Sequence, residues 1–217
     1  MRKIDIIKIN EIFYSIQGES SYAGLPCIFI RLTGCNLNCT YCDTEYAKQI
    51  GDEISIEDIL DEIYQYDCNL VEITGGEPLI QQETHELIRK LREQEYTILL
   101  ETNGSRNLEK IPSEVIKIID WKTPGSGEDD SFIIHNLDYL TAEDEIKFVI
   151  SDNRDYQWSK DRISDHKLTD RCKVLMSVVK GNFAPKDLCE LILKDNLNVR
   201  FQLQLHKYIW PKDAKGR

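Results

Sequence analysis

At 217 residues the chain is sized for a single domain spanning residues 1–217, large enough to bury about 70% of its extended surface. With 41% hydrophobic and 30% charged residues it has the composition of a soluble globular protein, and no apolar run approaches the ~20 residues of a membrane-crossing helix. The net charge of −11, with no Lys- or Arg-dense face, argues against nucleic acid and membrane and toward a small substrate or a protein partner.

Met1, Arg2 and Lys3 bring charge too early for a signal peptide. Residues 6–13 alternate imperfectly and predict an edge strand, followed by a polar loop over residues 15–21. Residues 26–32 form a near-continuous apolar run, the pattern of a strand buried on both faces. Arg31 interrupts that run and must be paired or face a cavity; the cavity is the expectation. Ser55-Ile56-Glu57-Asp58 reads as a capping box, opening a helix with Ile59, Leu60, Ile63 and Tyr64 on one face. Strands over 70–74, 96–100, 115–119, 145–150, 172–179 and 199–205 alternate with helices over 81–94, 153–165 and 185–194. That rhythm predicts an α/β fold of repeated βα units, with a mainly parallel sheet and helices outside. The units are too few for eight repeats, so the barrel is expected to be partial and open. Polar clusters end strand after strand: the cysteine loop, Gly75-Gly76-Glu77-Pro78, Glu101-Thr102-Asn103-Gly104, the run from Asp120 to Gly127, and His206. Sites of parallel α/β proteins lie at that edge.

Cys35, Cys39 and Cys42 form a C-x3-C-x2-C run in a short loop where three thiolates can meet one object. Soft thiolates select zinc, copper(I) or iron–sulfur clusters. Structural zinc wants four protein ligands, and no fourth Cys or His follows at finger-like spacing. A 4Fe–4S cluster on three cysteines keeps one iron open. The other cysteines, Cys27, Cys68, Cys172 and Cys189, lack framework spacing, which fits a reducing cytoplasm. With aromatic Tyr41 before the last cysteine, the run resembles the cluster motif of the radical S-adenosylmethionine (SAM) enzymes. The resemblance implies a (βα)6-type radical SAM barrel and a cluster on Cys35, Cys39 and Cys42. It also implies SAM chelated to the open iron and cleaved by one electron to methionine and a 5′-deoxyadenosyl radical. Gly76 and Glu77 then match the turn that contacts the methionine amino group, and Glu101 and Asn103 the groups that contact ribose.

The set Ile16-Gln17-Gly18-Glu19, Arg31, Cys42-Asp43-Thr44, Thr74, Asp120-x-Lys122-x-Pro124-x-Ser126-Gly127, Glu145 to Asp152 and Gln204-Leu205-His206-Lys207 runs in this order nearly end to end. It is similar to the 7-carboxy-7-deazaguanine synthases. That resemblance implies a lyase contracting 6-carboxy-5,6,7,8-tetrahydropterin to 7-carboxy-7-deazaguanine with loss of ammonia, on the route to queuosine and other 7-deazapurines. A hydrogen atom is taken from substrate C6 and returned. It implies a pterin held by Ile16, Gln17, Gly18, Glu19, Arg31, Thr74 and His206, and Mg2+ on Thr44. SAM contacts would come from Asp120, Lys122, Met176, Ser177, Val178 and Val179, with Lys147 along the pocket. A flavodoxin or ferredoxin reductant and a homodimer follow from the same likeness. Two departures stand out: Ser20 where many members have glycine, and Ser177-Val178-Val179 where a Ser-Pro-Val form is commoner.

The alternatives are another small radical SAM enzyme such as a glycyl-radical activase, an iron–sulfur electron carrier, and a zinc-binding interaction module. A carrier wants four cysteines and a closed cluster. An activase needs an open groove for a protein rather than the clamp that Arg31, Thr44, Thr74 and His206 imply.

Overall fold

Isoleucine-rich strands with a carboxylate or lysine at alternate positions build a sheet with one apolar and one polar face. The computed structural model describes residues 5–211 and 216, so Met1 to Ile4 and most of the tail after Pro211 lie outside the described residues. The strands are β1 (Ile6–Ile16), β2 (Pro26–Leu32), β3 (Asp52–Ser55), β4 (Leu70–Gly75), β5 (Thr97–Thr102), β6 (Ile116–Asp120), β7 (Glu145–Ile150), β8 (Lys173–Val178) and β9 (Arg200–Phe201). They form one nine-stranded sheet in the order β3-β1-β2-β4-β5-β6-β7-β8-β9. β1 is antiparallel to β2 and β3, and every pairing from β2 through β9 is parallel. The helices are α1 (Ile56–Tyr64), α2 (Thr84–Glu93), α3 (Asn153–Asp165), α4 (Pro185–Lys194) and a single turn, α5 (His206–Ile209). No helix among the described residues is long and apolar enough to cross a membrane.

Alternation assigns the faces. Ile30, Ile73, Leu100, Ile119, Phe148 and Met176 point to the helix side and belong to the main core. Arg31, Glu72, Thr74, Glu101, Asp120 and Lys147 point the other way. Lys147 of β7 reaches Glu101 of β5 at 2.7 Å, across β6, so the polar face is concave. Phe13 and Phe29 stack at 4.8 Å with Cys27 and Leu70 to fill one end of it. The arrangement is the open, partial barrel expected from the sequence.

Local differences have physical causes. β3 is too short and polar to register as a strand. β1 runs on to Ile16 because it stays paired with β2 as far as Ile16↔Pro26. α2 starts at Thr84 rather than residue 81, because Gln81 stitches the turn to β1, accepting from Lys8 N at 2.8 Å and donating to Lys8 O at 2.9 Å. Ser55 caps α1 by accepting from Asp58 N at 3.1 Å. Tyr64, at the last position of α1, is 80% exposed and leaves the apolar stripe that Ile59, Leu60 and Ile63 form. The strand expected over 199–205 shrinks to two residues, since the chain beyond Gln202 turns inward over the concave face. His206 therefore starts a helical turn instead of ending a strand.

The β5–β6 connection holds no helix among the described residues, and only 3-10 turns join β6 to β7. Buried Asn136 organises this region: its Nδ2 donates to Gly104 O at 2.9 Å and Arg106 O at 2.8 Å, and its Oδ1 accepts from Leu108 N at 3.0 Å. Near the opposite end of β6, Lys117 and Asp144 form an ion pair at 3.1 Å with both side chains 0% exposed. Asp144 also accepts from Lys117 N and Thr141 N, each at 2.7 Å. Removing one partner of a buried pair strands the other charge. Asp144→Ala is expected to cost about 3–5 kcal/mol in urea unfolding, and a loss below about 1 kcal/mol would show that water reaches Lys117.

Candidate active site

Four segments meet at the C-terminal edge of the parallel strands. The cysteine loop leaves β2 and is braced by the segment after β6. Thr40 donates to Ser126 O at 3.0 Å through its amide and to Gly125 O at 2.7 Å through its hydroxyl. Asn38 N donates to Glu128 Oε1 at 2.6 Å, and the Tyr41 and Thr123 hydroxyls lie 3.2 Å apart. Cys35, Cys39 and Cys42 are half-buried, unpaired thiols. Burial pushes the Cys39 thiol up, while Lys122 pulls it back. Lys122 bonds Asp120 Oδ2 at 2.8 Å; burial opposes its charge, yet Asp120 and Cys39 hold its pKa above the lysine range.

The Gly75-Gly76 turn lies on that loop. A Cβ on Gly76 would stand 2.1 Å from Gly34 O and 2.7 Å from the Cys35 Cβ, so only glycine allows the approach. Glu77 N donates to Gly34 O at 2.8 Å. The Glu77 carboxylate, 0% exposed, accepts from Leu79 N at 3.1 Å, Thr102 Oγ1 at 2.8 Å and Asn103 N at 2.7 Å. It braces the turn against β5 and does not face the cavity. Asn103 in turn accepts from Ser105 N at 2.9 Å.

Lys147 is the hub of the concave face. Its ammonium, 4% exposed, sits 2.8 Å from Glu19 Oε2, 2.7 Å from Glu101 Oε1 and 3.6 Å from Asp120 Oδ2. Thr74 Oγ1 donates to Glu101 Oε2 at 2.7 Å. Burial would raise the Glu101 carboxyl, but Lys147 and Thr74 bring it down to about 2. Burial likewise opposes the charge on Lys147, and the surrounding carboxylates hold it well above the usual lysine range. Arg31 is paired rather than simply open to a cavity: its Nε donates to Glu11 at 2.8 Å and its guanidinium lies 5.7 Å from the Phe13 ring centre.

The first loop spans the concave face. Gln17 meets Glu72, Glu19 meets Lys147, and Ser21 N donates to Glu145 at 3.0 Å. The strap after β9 lies on this loop: Leu205 N donates to Gly18 O at 2.9 Å, and Gln204 Nε2 to Glu19 Oε1 at 2.8 Å. A Cβ on Gly18 would fall 2.5 Å from His206 Nδ1, so the two are in contact. Burial lowers the His206 pKa, which leaves a neutral imidazole near pH 7. Lys207 bonds Asp43 at 2.7 Å, tying the strap to the cysteine loop. Ser20 holds a left-handed φ of +63°, its hydroxyl accepting from Tyr22 N at 3.1 Å. A serine thus occupies a glycine-type conformation at this departure from the common pattern.

The remaining expected residues divide by face. Ser177 is on the concave face, whereas the Met176 and Val178 side chains are in the helix-side core and Val179 N donates to Ile150 O at 2.8 Å. Any ligand contact from Met176 or Val178 would be through backbone. Thr44 Oγ1 lies 4.0 Å from Cys42 Sγ, and Ile16 ends β1 beside the first loop. Among the described residues no three His, Cys, Asp or Glu side chains are arranged to hold a single metal ion. Asp120 Oδ1 and Ser177 Oγ are buried without a hydrogen-bond partner. Two such orphaned atoms on the concave face, with the Gly76 cradle beside the thiols, suit a polar ligand next to a cysteine-held cluster. Glu72 and the Asp43–Lys207 pair escaped the sequence reading. Glu72 had a signal, a carboxylate inside an apolar strand.

The radical SAM superfamily profile matches residues 29–181. The chain is 44% identical to the 7-carboxy-7-deazaguanine synthase of Koribacter versatilis over 97% of this chain and 100% of that one. It is 43% identical to the protein of the same name from Chlorobaculum tepidum, over 97% of each. The crystal structure of QueE from Escherichia coli is similar at a TM-score of 0.74 and 24% identity, over 90% of this chain and 92% of that one, a likeness of fold.

Lys147 sets a pH expectation. The folded pKa of Glu101 is depressed, so its contribution is present above its ordinary value of 4.5 and lost as pH falls toward about 2. The folded pKa of Lys147 is raised, so its contribution is present below 10.5 and lost as pH climbs through the higher folded value. Lys147→Met is expected to lower the melting temperature at pH 7 and to flatten its fall on the acid side. Melting curves across pH decide this, and an unchanged midpoint at pH 7 would contradict the hub.

Proposed function

Because the chain belongs to the 7-carboxy-7-deazaguanine synthases of the radical SAM superfamily, we propose that it contracts 6-carboxy-5,6,7,8-tetrahydropterin to 7-carboxy-7-deazaguanine with release of ammonia. The observation that carries this reading is the meeting of the thiol loop, the Gly76 cradle and the Arg31–Thr74 edge around Lys147. Cys35, Cys39 and Cys42 would hold the 4Fe–4S cluster, and the Gly76 backbone, Asn103, Asp120, Lys122 and Ser177 would line SAM. When bound, these groups supply removal of the hydrogen atom at substrate C6 and its return.

The chain's own residues bind and orient. Arg31 is fixed through Nε by Glu11 and offers its other nitrogens to the substrate carboxylate, a charge-assisted fork. The Gly18 N–H of the first loop is placed to read the edge of a flat heterocycle, and Thr74 sits on Glu101. The neutral His206 imidazole can donate or accept a hydrogen bond at the same edge. Thr44 would give Mg2+ one oxygen, the rest coming from water and substrate. A flavodoxin or ferredoxin reductant, a homodimer and a cytoplasmic setting complete the reading.

Anaerobic turnover with reconstituted cluster, SAM, reductant, Mg2+ and the pterin is expected to yield 7-carboxy-7-deazaguanine by mass analysis, and Cys39→Ala is expected to abolish both product and cluster absorption. SAM cleavage with an intact pterin would keep the superfamily and remove the substrate. Arg31→Lys is expected to lower kcat/KM by about ten- to a hundredfold, since the fork is lost while the charge remains. Unchanged kinetics would place the substrate carboxylate elsewhere.

A further inference from the structure

Glu72 is a carboxyl group where the strand pattern calls for a hydrocarbon. On the concave face it pairs in register with Phe29 of β2 and Leu99 of β5, both apolar. It is 5% exposed, and none of the roles given above uses it. A polar group buried among hydrocarbons is costly unless it is bonded.

Its described partner is Gln17, itself 2% exposed, whose Nε2 donates to Glu72 Oε2. The other end of the same amide is also engaged: Gln17 Oε1 accepts from Glu19 N at 2.9 Å. The Gln17 backbone is pinned separately, its N donating to Leu25 O and its O accepting from Gly24 N, each at 2.8 Å. An amide donates only through nitrogen and accepts only through oxygen. An acceptor at Glu72 therefore fixes which way the Gln17 amide faces, and that orientation places its oxygen under Glu19 N. Glu19 then carries the loop to Lys147.

We infer that Glu72 is a positioning residue for the pterin site: by accepting from Gln17 it sets the amide that shapes the Gln17-Gly18-Glu19 backbone against which the substrate lies. This rests on the substrate reading above. Burial, and then the nearby Glu101 and Glu19 carboxylates, push Glu72 well above the usual carboxylate range. A glutamine at position 72 keeps an acceptor oxygen within reach of the Gln17 amide.

The test uses the cluster-loaded protein with Glu72→Leu, Glu72→Ala, Glu72→Gln and the exchange Gln17→Glu with Glu72→Gln. Glu72→Leu is expected to raise KM for the pterin by about tenfold or more with a smaller change in kcat. Its pterin Kd, measured without reductant, should rise in parallel. Glu72→Gln, which keeps an acceptor toward Gln17, is expected to restore KM and Kd to within about threefold of wild type. The exchange, which rebuilds the bonded pair with its ends swapped, is expected to bind more tightly than Glu72→Leu. A Glu72→Leu protein with wild-type KM and Kd would overturn the inference. Should that variant not fold, a Glu72→Gln KM as poor as that of Glu72→Ala would overturn it instead, and rescue would support it. If the wild-type protein leaves the pterin unchanged, the substrate reading fails, an outcome distinct from any ranking of the variants.

Discussion

One buried ammonium brings the halves of this molecule together. Lys147 stands on β7, and its three carboxylates come from the first loop, β5 and β6. Taking such charges out of water is costly, and here their mutual attraction and hydrogen bonds outweigh burial, since the Glu101 pKa is lowered and the Lys147 pKa raised. The arrangement also sets shape. It forces loop residue Glu19 down onto the sheet, and it curves β5, β6 and β7 around a common point. Three carboxylates around one lysine still leave negative charge in excess, and Lys122 and Arg31 stand at the rim of that excess. A concave face so charged cannot pack as an oily interior, so it stays available to a polar ligand.

The cysteine loop illustrates a division of labour that sequence spacing conceals. Its three thiols come from one short stretch, yet several of the hydrogen bonds that hold it come from residues 123–128, beyond β6. The Asp-x-Lys-x-Pro-x-Ser-Gly run thus serves two ends: Asp120 and Lys122 face the site, and Gly125 and Ser126 support the thiol loop from behind. Glu77 behaves similarly. It looks like a ligand in the sequence, and its carboxylate is consumed by Leu79 N of its own turn and by the Thr102 hydroxyl and Asn103 N at the end of β5.

What was legible in the sequence was whatever rests on periodicity or on unusual composition. Ile28, Ile30, Val71, Ile73, Ile118 and Ile119 announce strands, and Cys35, Cys39, Cys42 and the Gly75-Gly76 turn announce chemistry. Less legible were features that depend on distant partners. Nothing local marks Asn136 as the organiser of a helix-free connection, because its three partners are loop backbone groups about 30 residues away. β9 is shorter than Val199 to Leu205 suggests from composition: Gln202 N still donates to Met176 O on β8, and beyond it Gln204 is drawn to Glu19 of the first loop. The faces of Met176 and Ser177 could be told apart only once the register of β7 and β8 was fixed.

The strap after β9 also sets the order in which the molecule can be completed. Its bonds to the first loop join residues 182 and 185 positions apart, and its bond to Asp43 spans 164. Contacts of such separation are slow to form, because a long stretch of chain must be closed before they give anything back. During synthesis the sheet from β1 to β8 can assemble while the first loop still lacks its cover. The first-loop side of the concave face is covered only when these distant segments meet. Until they meet, the cysteine loop lacks the bond that Lys207 makes to Asp43.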